Sequence, residues 1–546
     1  MNFVLQPDYY LKNFNTMMNF VVEQYADLLV ENEWNFIRNY QSLSPDAAKL
    51  FVRLCLRQKN IYFTDQLVYS EIVSLNDAIS ELNELRFILI NPLIHESEVL
   101  QALTKPELKY LFSNRKINHN APKALVVDNI LKAYSSDVIY ELIFAAKTLI
   151  CKNCESEVQT LLYFFFGNRH QDLSEFVLQD MGRVKYESYT IEKESRLFPN
   201  RVDFENSLLL ARLSEESYLA VEADDMATIN EILSKLPRIS SNRKLVSQKD
   251  KILNRCAAYL EKKKLLTEAL SLYQQTERLP SRERQARILN TLGLKNQALD
   301  ICNKILQNSY SEDEQFFAES FILKLNSNKN KKTSSIEIPQ ETYVLVKNSN
   351  QSVELLALEY FKSQYHKVYF LENVLMNSLF GLWFWDEIFM PIQGSFCHPF
   401  QRGLVDLFTD EFVQARKEKI REKLNALNDE PSKIKGKFTE TFFCKKGIAN
   451  YFVDWELFTI EVLELALKCI PFHHLFAIFE RLLSGLKENS SGFPDLIAFT
   501  KNLETYELIE IKGPGDKLQN NQNRWFQYFL KNSIPCKLVR IEWLEN

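Results

Sequence analysis

Residues 492–518 read GFPDLIAFTKNLETYELIEIKGPGDKL, and this stretch decides how the C-terminal part of the chain folds. Asp495 to Phe499 is apolar and strand-like, Lys501-Asn502-Leu503-Glu504 is a polar turn, and Tyr506 to Lys512 is a second run of β-formers. Pairing the two runs as a hairpin centred near Asn502 and Leu503 sets Asp495 opposite Glu510. Side chains alternate along a strand, so Glu510 and Lys512 share one face while Ile509 and Ile511 take the other. Gly513-Pro514-Gly515 ends the second strand. Two carboxylates and an ammonium then converge at one end of the hairpin. Hard oxygen ligands of this kind hold Mg2+ or Mn2+. The metal polarises a phosphate and acidifies a water, and a lysine orients that water or neutralises charge. The same letters also describe an exposed hairpin with an ordinary Glu-x-Lys pair on its wet face, so the rest of the chain has to decide between the two.

Downstream, GPGDKLQNNQNRWFQYFL follows from Gly513. Asp516 is expected to cap a helix whose Leu518, Trp525 and Phe529 face the sheet, with Lys517, Gln522 and Arg524 placed to approach phosphate. Cys536 to Trp543, CKLVRIEW, is expected to return as a third strand.

A chain of 546 residues is too long for one core. Its 46% hydrophobic and 25% charged residues are those of a globular protein, and only 12 glycines among many Leu, Lys, Glu and Asn point to a mostly helical one. A net charge of −5 carries no global nucleic-acid signal, so contacts to DNA must come from local basic patches. Met1 opens into NFVLQPDYYLKNF without the basic and apolar regions of a signal peptide. No apolar run is long enough to span a bilayer, so no membrane partner is expected. Nine scattered cysteines fit a reducing compartment. Cys151 and Cys154 form a C-x-x-C with no second pair at zinc spacing, and two cysteines on one helix are expected there.

Residues 1 to about 90 read as helices, apolar at three- and four-residue spacing through Tyr10-Leu11, Phe14, Met17-Met18 and Val21-Val22. From Ser44, SPDAAKLFVRLCLRQKN starts another helix with Arg53, Arg57 and Lys59 near its end. These cations either face DNA phosphates or serve as partners of the helix dipole. At Thr104 the pattern T-K-P-E caps a short helix, with Pro106 in its first turn, and a polar turn leads to a second helix from Ala124 to Tyr134. This unit resembles a SAP domain, which sets a helix N-terminus and nearby lysines against the DNA backbone. Lys105, Lys109, Arg115, Lys116 and Lys123 are its available cations, and Ala121-Pro122 stands where the usual turn glycine would be.

Helix follows helix from about 146 to 330. AAYLEKKKLLTEALSLY from Ala257 matches ARILNTLGLKNQALDIC from Ala286, pairing Ala257 with Ala286, Leu260 with Leu289 and Ala269-Leu270 with Ala298-Leu299. This resembles divergent tetratricopeptide repeats, which bury their apolar faces only against neighbours. Asn326 to Ser335, NSNKNKKTSS, reads as an exposed basic linker. Asn373 to Met390 is almost wholly apolar and aromatic, and Glu372 opens that expected helix. A carboxylate there either stabilises the helix dipole or reaches a catalytic cleft. Glu387 is expected to be structural.

A glutamate followed by L-F-G-L-x-x-W-D-x-I-F-M, then D-L-F-T-D-x-F, then G-x-P-D-L, then E-I-K-G-P-x-D-K-L-x-x-x-Q is similar to the Fanconi-associated nuclease family. YYLKNF, LSPDAAKLFVRL, the SAP-like segment and VELLALEYF match in the same order, so the likeness runs along nearly the whole chain, which resembles a short bacterial-type member. The resemblance implies a C-terminal VRR-nuclease domain of the PD-(D/E)-x-K class, acting as a 5′-flap endonuclease and 5′-to-3′ exonuclease in interstrand crosslink repair. It carries over Glu372, Asp495, Glu510 and the backbone carbonyl of Ile511 as metal ligands, most simply for two Mg2+ or Mn2+ ions. Asp495, Glu510, Lys512 and Gln522 are its catalytic set. The glycine that the family usually has after its first glutamate is Asn373 here.

The expected chain is therefore mostly α and multidomain. Residues 1–92 form a helical, winged-helix-like DNA-binding region and 93–140 a SAP-like domain. Residues 141–340 form TPR-like repeats, and 341–546 an α/β restriction-endonuclease-like catalytic domain. Arg53, Arg57, Lys105, Lys109, Lys123 and Lys517 are the expected DNA contacts. The expected partner is branched or flapped DNA, bound by a monomer or a DNA-induced dimer, with protein partners on the repeats. The expected location is nucleoid-associated cytoplasm in a bacterium or the nucleus in a eukaryote. Two rival functions are a four-way-junction resolvase and a repeat scaffold that binds DNA and proteins without cutting.

Overall fold

A computed structural model describes residues 8–113, 117–176, 184–239, 242–276, 278–326, 337–347, 351–392 and 394–544. The chain is mostly helical and parts into two compact units, Met1–Arg183 and Val184–Asn546. This division is coarser than the four segments expected from the sequence. Arg115, Lys116 and the basic stretch beyond Asn326 lie outside the described residues.

In the first unit the three- and four-residue spacing becomes a buried stripe: Tyr10, Phe14, Met17, Met18 and Val21 all face inward from the helix Tyr9–Tyr25. The helix Pro45–Cys55 starts where its letters say. The Ser44 hydroxyl accepts from Ala47 N at 3.3 Å, and Pro45 supplies a helical φ without wasting an N–H. Three short strands, β1 (Ile61–Phe63), β2 (Ile88–Ile90) and β3 (Leu149–Lys152), form a sheet with β3 central and antiparallel to both neighbours. Strands of three residues carry almost no alternation, which is why this region reads as purely helical in sequence. Cys151 sits on β3 and Cys154 at the N-cap of the helix Glu155–Phe166, so the expected pair of helical cysteines is not formed. The T-K-P-E pattern is a complete capping box: Glu107 N donates to the Thr104 hydroxyl and Thr104 N to the Glu107 carboxylate. Its helix, Lys105–Leu111, packs with Lys123–Ala133 through Leu108, Phe112, Val126, Val127 and Ile130.

The second unit opens with helical hairpins that share one closing device. Asp224, Lys264 and Gly293 adopt left-handed φ values of 59°, 67° and 79°. The next residue donates back to the helix each time: Asp225 N to Ala220 O, Leu265 N to Leu260 O, Leu294 N to Leu289 O. This is the Schellman pattern, which ends a helix while satisfying its last carbonyls. Ala257, Ala269, Ala286 and Ala298 are fully buried, so the aligned small residues are where helices approach closely.

The C-terminal part is built on a five-stranded sheet of β4 (Gln340–Leu345), β5 (Lys367–Phe370), β6 (Leu496–Phe499), β7 (Tyr506–Lys512) and β8 (Cys536–Trp543), ordered β4-β8-β7-β6-β5. β5, β6 and β7 run antiparallel, while β8 lies parallel to both β7 and β4. Alternation sends Ile509, Ile511, Leu496 and Val539 toward the helix Val353–Phe361. Tyr506, Leu508, Ile497 and Phe499 face the other way, into a large core with Trp525, Phe526 and Phe529 of the helix Asn520–Lys531. Fully burying each of these aromatics contributes about 2–3 kcal/mol.

Two expectations are corrected here. The apolar run 373–390 is deeply buried but is not one helix from Glu372: it divides into Leu375–Trp383 and Trp385–Ile388, because Phe384 leaves helical angles. Glu372 precedes the helix, since Asn373 adopts the left-handed φ of 55° that a helix cannot continue through. Asp516 does not cap the last helix either. Its carboxylate closes a local turn by accepting from Gly513 N at 3.1 Å, and Gln519 is the N-cap. Gly381 lies where a Cβ would come within 2.8 Å of Val453 Cγ2 and 2.9 Å of Phe452 Cβ. Gly381→Ala is therefore expected to destabilise the second unit by about 1–3 kcal/mol, measured by thermal or urea unfolding.

Candidate active site

The register of β6 on β7 pairs Leu496 with Ile509 and Phe499 with Tyr506. One residue further, Asp495 stands opposite Glu510, as the hairpin reading requires. Ile511 then falls opposite Pro494, which has no N–H to give to the Ile511 carbonyl. On the same side, the Ile511 N–H is taken by the Asp495 side chain, at 2.8 Å from Oδ2. The Pro-Asp pair thus ends the ladder in a defined way: a side chain replaces one backbone acceptor, and the missing donor leaves a carbonyl without a rung. Just ahead, Gly492 has φ 90°, and a Cβ there would press on Asn521 at 2.9–3.1 Å, so the approach to Pro494 requires glycine.

Glu510 has no solvent exposure. Its Oε1 receives Gln522 Nε2 at 2.5 Å and lies 2.8 Å from Lys512 Nζ, while Oε2 is buried without a partner. Gln522 belongs to the capping box of its helix, its own Oε1 accepting from Gln519 N at 3.0 Å, so one side chain ties the helix start to the buried carboxylate. Asp495 is likewise buried, and Leu371 N donates to its carbonyl at 3.1 Å. That bond brings Glu372 beside it, two residues past the last rung of β5 at Phe370. Glu354, in the first turn of the helix Val353–Phe361, also acts on Asp495; it lies in the family-like stretch VELLALEYF but is not among the expected site residues. Gly513 packs against Val353 at the end of β7, which places that first turn next to the site.

Asp495 and Glu510 therefore share one ammonium, Lys512, while Glu372 acts on both and Glu354 on Asp495. Burial pushes Asp495 up to about 6 and Glu510 up to about 8. The negative charge of Glu372 raises both, and Asp495 also raises Glu510, against the lowering pull of Lys512. Desolvation and mutual repulsion outweigh the single lysine. Among the described residues no three acidic, His or Cys side chains stand in a ready-made metal cage. The donor set nonetheless fits a hard divalent cation: all its atoms are oxygen, its charge is under-neutralised, and Glu510 Oε2 is a buried acceptor lacking any donor.

The expected DNA contacts fare differently. Lys105, Lys109 and Lys517 are exposed. Lys123 is half-buried, donates to Gln101 O at 2.6 Å, and is lowered by burial and then by Lys59. Arg57 lies over the rings of Tyr62 and Tyr69. Arg53 is spent internally, bound to Glu71 and stacked 4.0 Å over Tyr10. Arg524 is ion-paired with Asp313. A basic cluster that the sequence does not announce appears instead. Lys251 is held below the usual lysine range by burial and then by the charges of Arg278, Lys487, Arg255 and Lys244. Arg255 donates to the neutral groups of Ser214 and Ser217, and Arg278 to the Ser247 hydroxyl. Lys487 comes from the short helix Leu486–Asn489, close ahead of Pro494 and Asp495.

Comparison with known proteins places this geometry. The VRR-NUC domain family matches residues 429–543, and the family described as FAN1, HTH domain matches 8–89. The Fanconi-associated nuclease 1 homolog of Pseudomonas aeruginosa is 30% identical, covering 98% of this chain and 96% of its own. This chain belongs to the Fanconi-associated nuclease 1 family. The Arabidopsis thaliana homolog is 24% identical over 99% of this chain and 68% of its own length. A crystal structure of paFAN1 bound to 2nt 5′flap DNA with gap superposes with a TM-score of 0.89 at 30% identity, covering 100% of both chains. As a family member the chain is a DNA nuclease with a mostly helical Fanconi-associated nuclease fold and a C-terminal VRR-NUC domain. The sequence resemblance to this family is thereby borne out.

Proposed function

We propose that this nuclease cuts DNA selectively at 5′ flaps, as an endonuclease and 5′-to-3′ exonuclease, by metal-assisted phosphodiester hydrolysis serving interstrand crosslink repair. The observation that carries the reading is the buried, under-neutralised pair Asp495 and Glu510 at the open end of the hairpin, with Glu510 Oε2 lacking a donor. Glu372, Asp495, Glu510 and the Ile511 carbonyl would hold Mg2+ or Mn2+, most simply as two ions, with Glu354 as a further nearby carboxylate. When bound, such ions supply Lewis-acid polarisation of the phosphate and a nucleophilic hydroxide near neutral pH. Lys512, fixed by Glu510, orients the attacking water and offsets charge on the phosphate. Gln522 holds Glu510 in its rotamer. Gln522→Ala is expected to weaken Mn2+ binding by about ten- to a hundredfold, read by calorimetric titration.

Phosphate contacts by Lys105, Lys109, Lys123, Lys517 and the Lys251–Lys487 cluster would select DNA by shape rather than by base. The SAP-like segment and the winged-helix-like region would grip duplex arms, and the TPR-like hairpins offer a surface for protein partners. We place the protein with chromosomal DNA, acting as a monomer or as a dimer formed on DNA. The test is a labelled 5′-flap substrate with Mg2+ or Mn2+, alongside 3′-flap and four-way substrates. Undiminished cutting by Asp495→Ala or Glu510→Gln protein would sink the assignment. Paired symmetric cuts on the four-way substrate would move it to a junction resolvase.

A further inference from the structure

The two loops that carry Glu372 and Asp495 both lie beyond the last rungs of their strands, since the β5–β6 ladder ends at Phe370 opposite Leu496. One backbone bond, Leu371 N to Asp495 O, carries the pairing one step further. Beyond it the Glu372 side chain is placed by a short set of side-chain bonds. Asn373 Nδ2 donates to Glu372 Oε1 at 3.1 Å, while Asn373 Oδ1 accepts from Phe493 N at 3.1 Å, 120 residues away in sequence. The Asn373 carbonyl accepts from Asn377 Nδ2 at 2.6 Å, and the same Nδ2 donates to Ser490 O at 2.7 Å. Because the oxygen of the Asn373 amide is committed to a backbone N–H, its NH2 is committed to the carboxylate, and the amide has one sensible orientation. The left-handed φ of 55° is what turns this side chain back between the two loops. Asparagine is among the few side-chain-bearing residues that accept that region readily.

We propose that Asn373 is a positioning residue, a clasp that holds the Glu372 carboxylate in register with the segment leading to Asp495. It does not touch the metal or the phosphate; it acts through Glu372. This inference rests on the proposed metal centre, and the test separates the two. Asn373→Gly keeps the left-handed backbone at no steric cost while removing both clasp bonds. Mn2+ affinity of the full chain is measured by calorimetric titration for wild type, Asn373→Gly, Glu372→Gln and the double variant, with metal-free thermal unfolding of each.

The expected result is that Asn373→Gly weakens Mn2+ binding about tenfold or more, in the range found when a hydrogen-bond partner of a metal ligand is removed. In the Glu372→Gln background the same change is expected to alter affinity less than about twofold, because the residue it acts through is gone. In flap cutting, raising the Mn2+ concentration is expected to restore kcat to the Asn373→Gly enzyme, since ligand placement and not chemistry is impaired. An undiminished loss in the Glu372→Gln background, or no loss in the wild-type one, would overturn the clasp. Glu372→Gln binding Mn2+ as wild type does would overturn the metal-centre reading at Glu372, and the clasp with it.

Discussion

Asp495→Asn is expected to lose flap cutting by about a thousandfold or more while making the metal-free protein more stable at pH 8. The loss follows from the proposed role of Asp495 as a metal ligand, since a bound ion contributes several kcal/mol of transition-state charge stabilisation. The gain follows from the raised pKa values. An acid whose folded-state pKa exceeds its unfolded value stabilises the fold fully at pH below the unfolded value, and that contribution disappears as pH rises through the folded one. Asp495 is raised to about 6 and Glu510 to about 8, so the metal-free protein loses stability between about pH 4 and pH 8. For Asp495 alone, the rise from the ordinary value of 3.8 to about 6 corresponds to about 3 kcal/mol at high pH. An amide there retains an oxygen for Ile511 N but carries no charge to repel Glu372 and Glu510. Scanning calorimetry is expected to show a melting temperature raised by a few degrees at pH 8 and unchanged near pH 3, below the ordinary value of 3.8, where the carboxyl is protonated in folded and unfolded chains alike. A fall at pH 8 would mean that Asp495 is held by attractions, not strained by neighbours.

The second large effect belongs to the basic cluster. Lys251→Glu with Lys487→Glu is expected to weaken binding to flapped DNA by about a hundredfold, since charge-assisted phosphate bonds contribute about 1.5–3 kcal/mol each and reversal adds repulsion. The slope of log affinity against log salt should become shallower by about one unit for each phosphate that is no longer neutralised. Mn2+ affinity, measured without DNA, should stay as in wild type, because none of these cations touches the carboxylates. A matching loss with the exposed pair Lys105 and Lys109 reversed, and none at Lys251 and Lys487, would move the DNA path to the first unit. Lys251 is lowered first by burial and then by four neighbouring cations, and a bound anion would offset that repulsion.

Legibility in the sequence differs sharply from one element to the next. β7 and β8 have the bounds that alternation predicts, and the hairpin register follows from counting inward from its polar turn, because both are local properties. The Ser44 and Thr104 caps are equally local and equally legible. Asp516 shows the limit of local reading: the turn at Gly513 claims the aspartate, and the helix starts three residues later from Gln519. Arg53 looked like a free cation because Glu71, its partner, is brought to it only by folding. Glu354 lies in VELLALEYF, a stretch that resembles the family, but the pattern of that apolar helix does not single out its carboxylate. Glu372 stands in its own letters as either a dipole partner or a cleft carboxylate, and only family resemblance chooses between the two. The Lys251 cluster draws on residues from 244 to 487, and no window of sequence contains it.

Pro494 has one more consequence. A hairpin of alternating β-formers tends to zip until its residues run out, and a zipped edge consumes every oxygen along it. The imino acid stops the zipper one tooth early, at a place where the neighbouring aspartate has already taken the opposing hydrogen. Any other residue at 494 would bring an N–H, and with it an offer of closure to the Ile511 oxygen. The proline therefore acts as a permanent vacancy in the weave, and the edge beside the proposed metal centre stays open because one residue cannot be stitched shut.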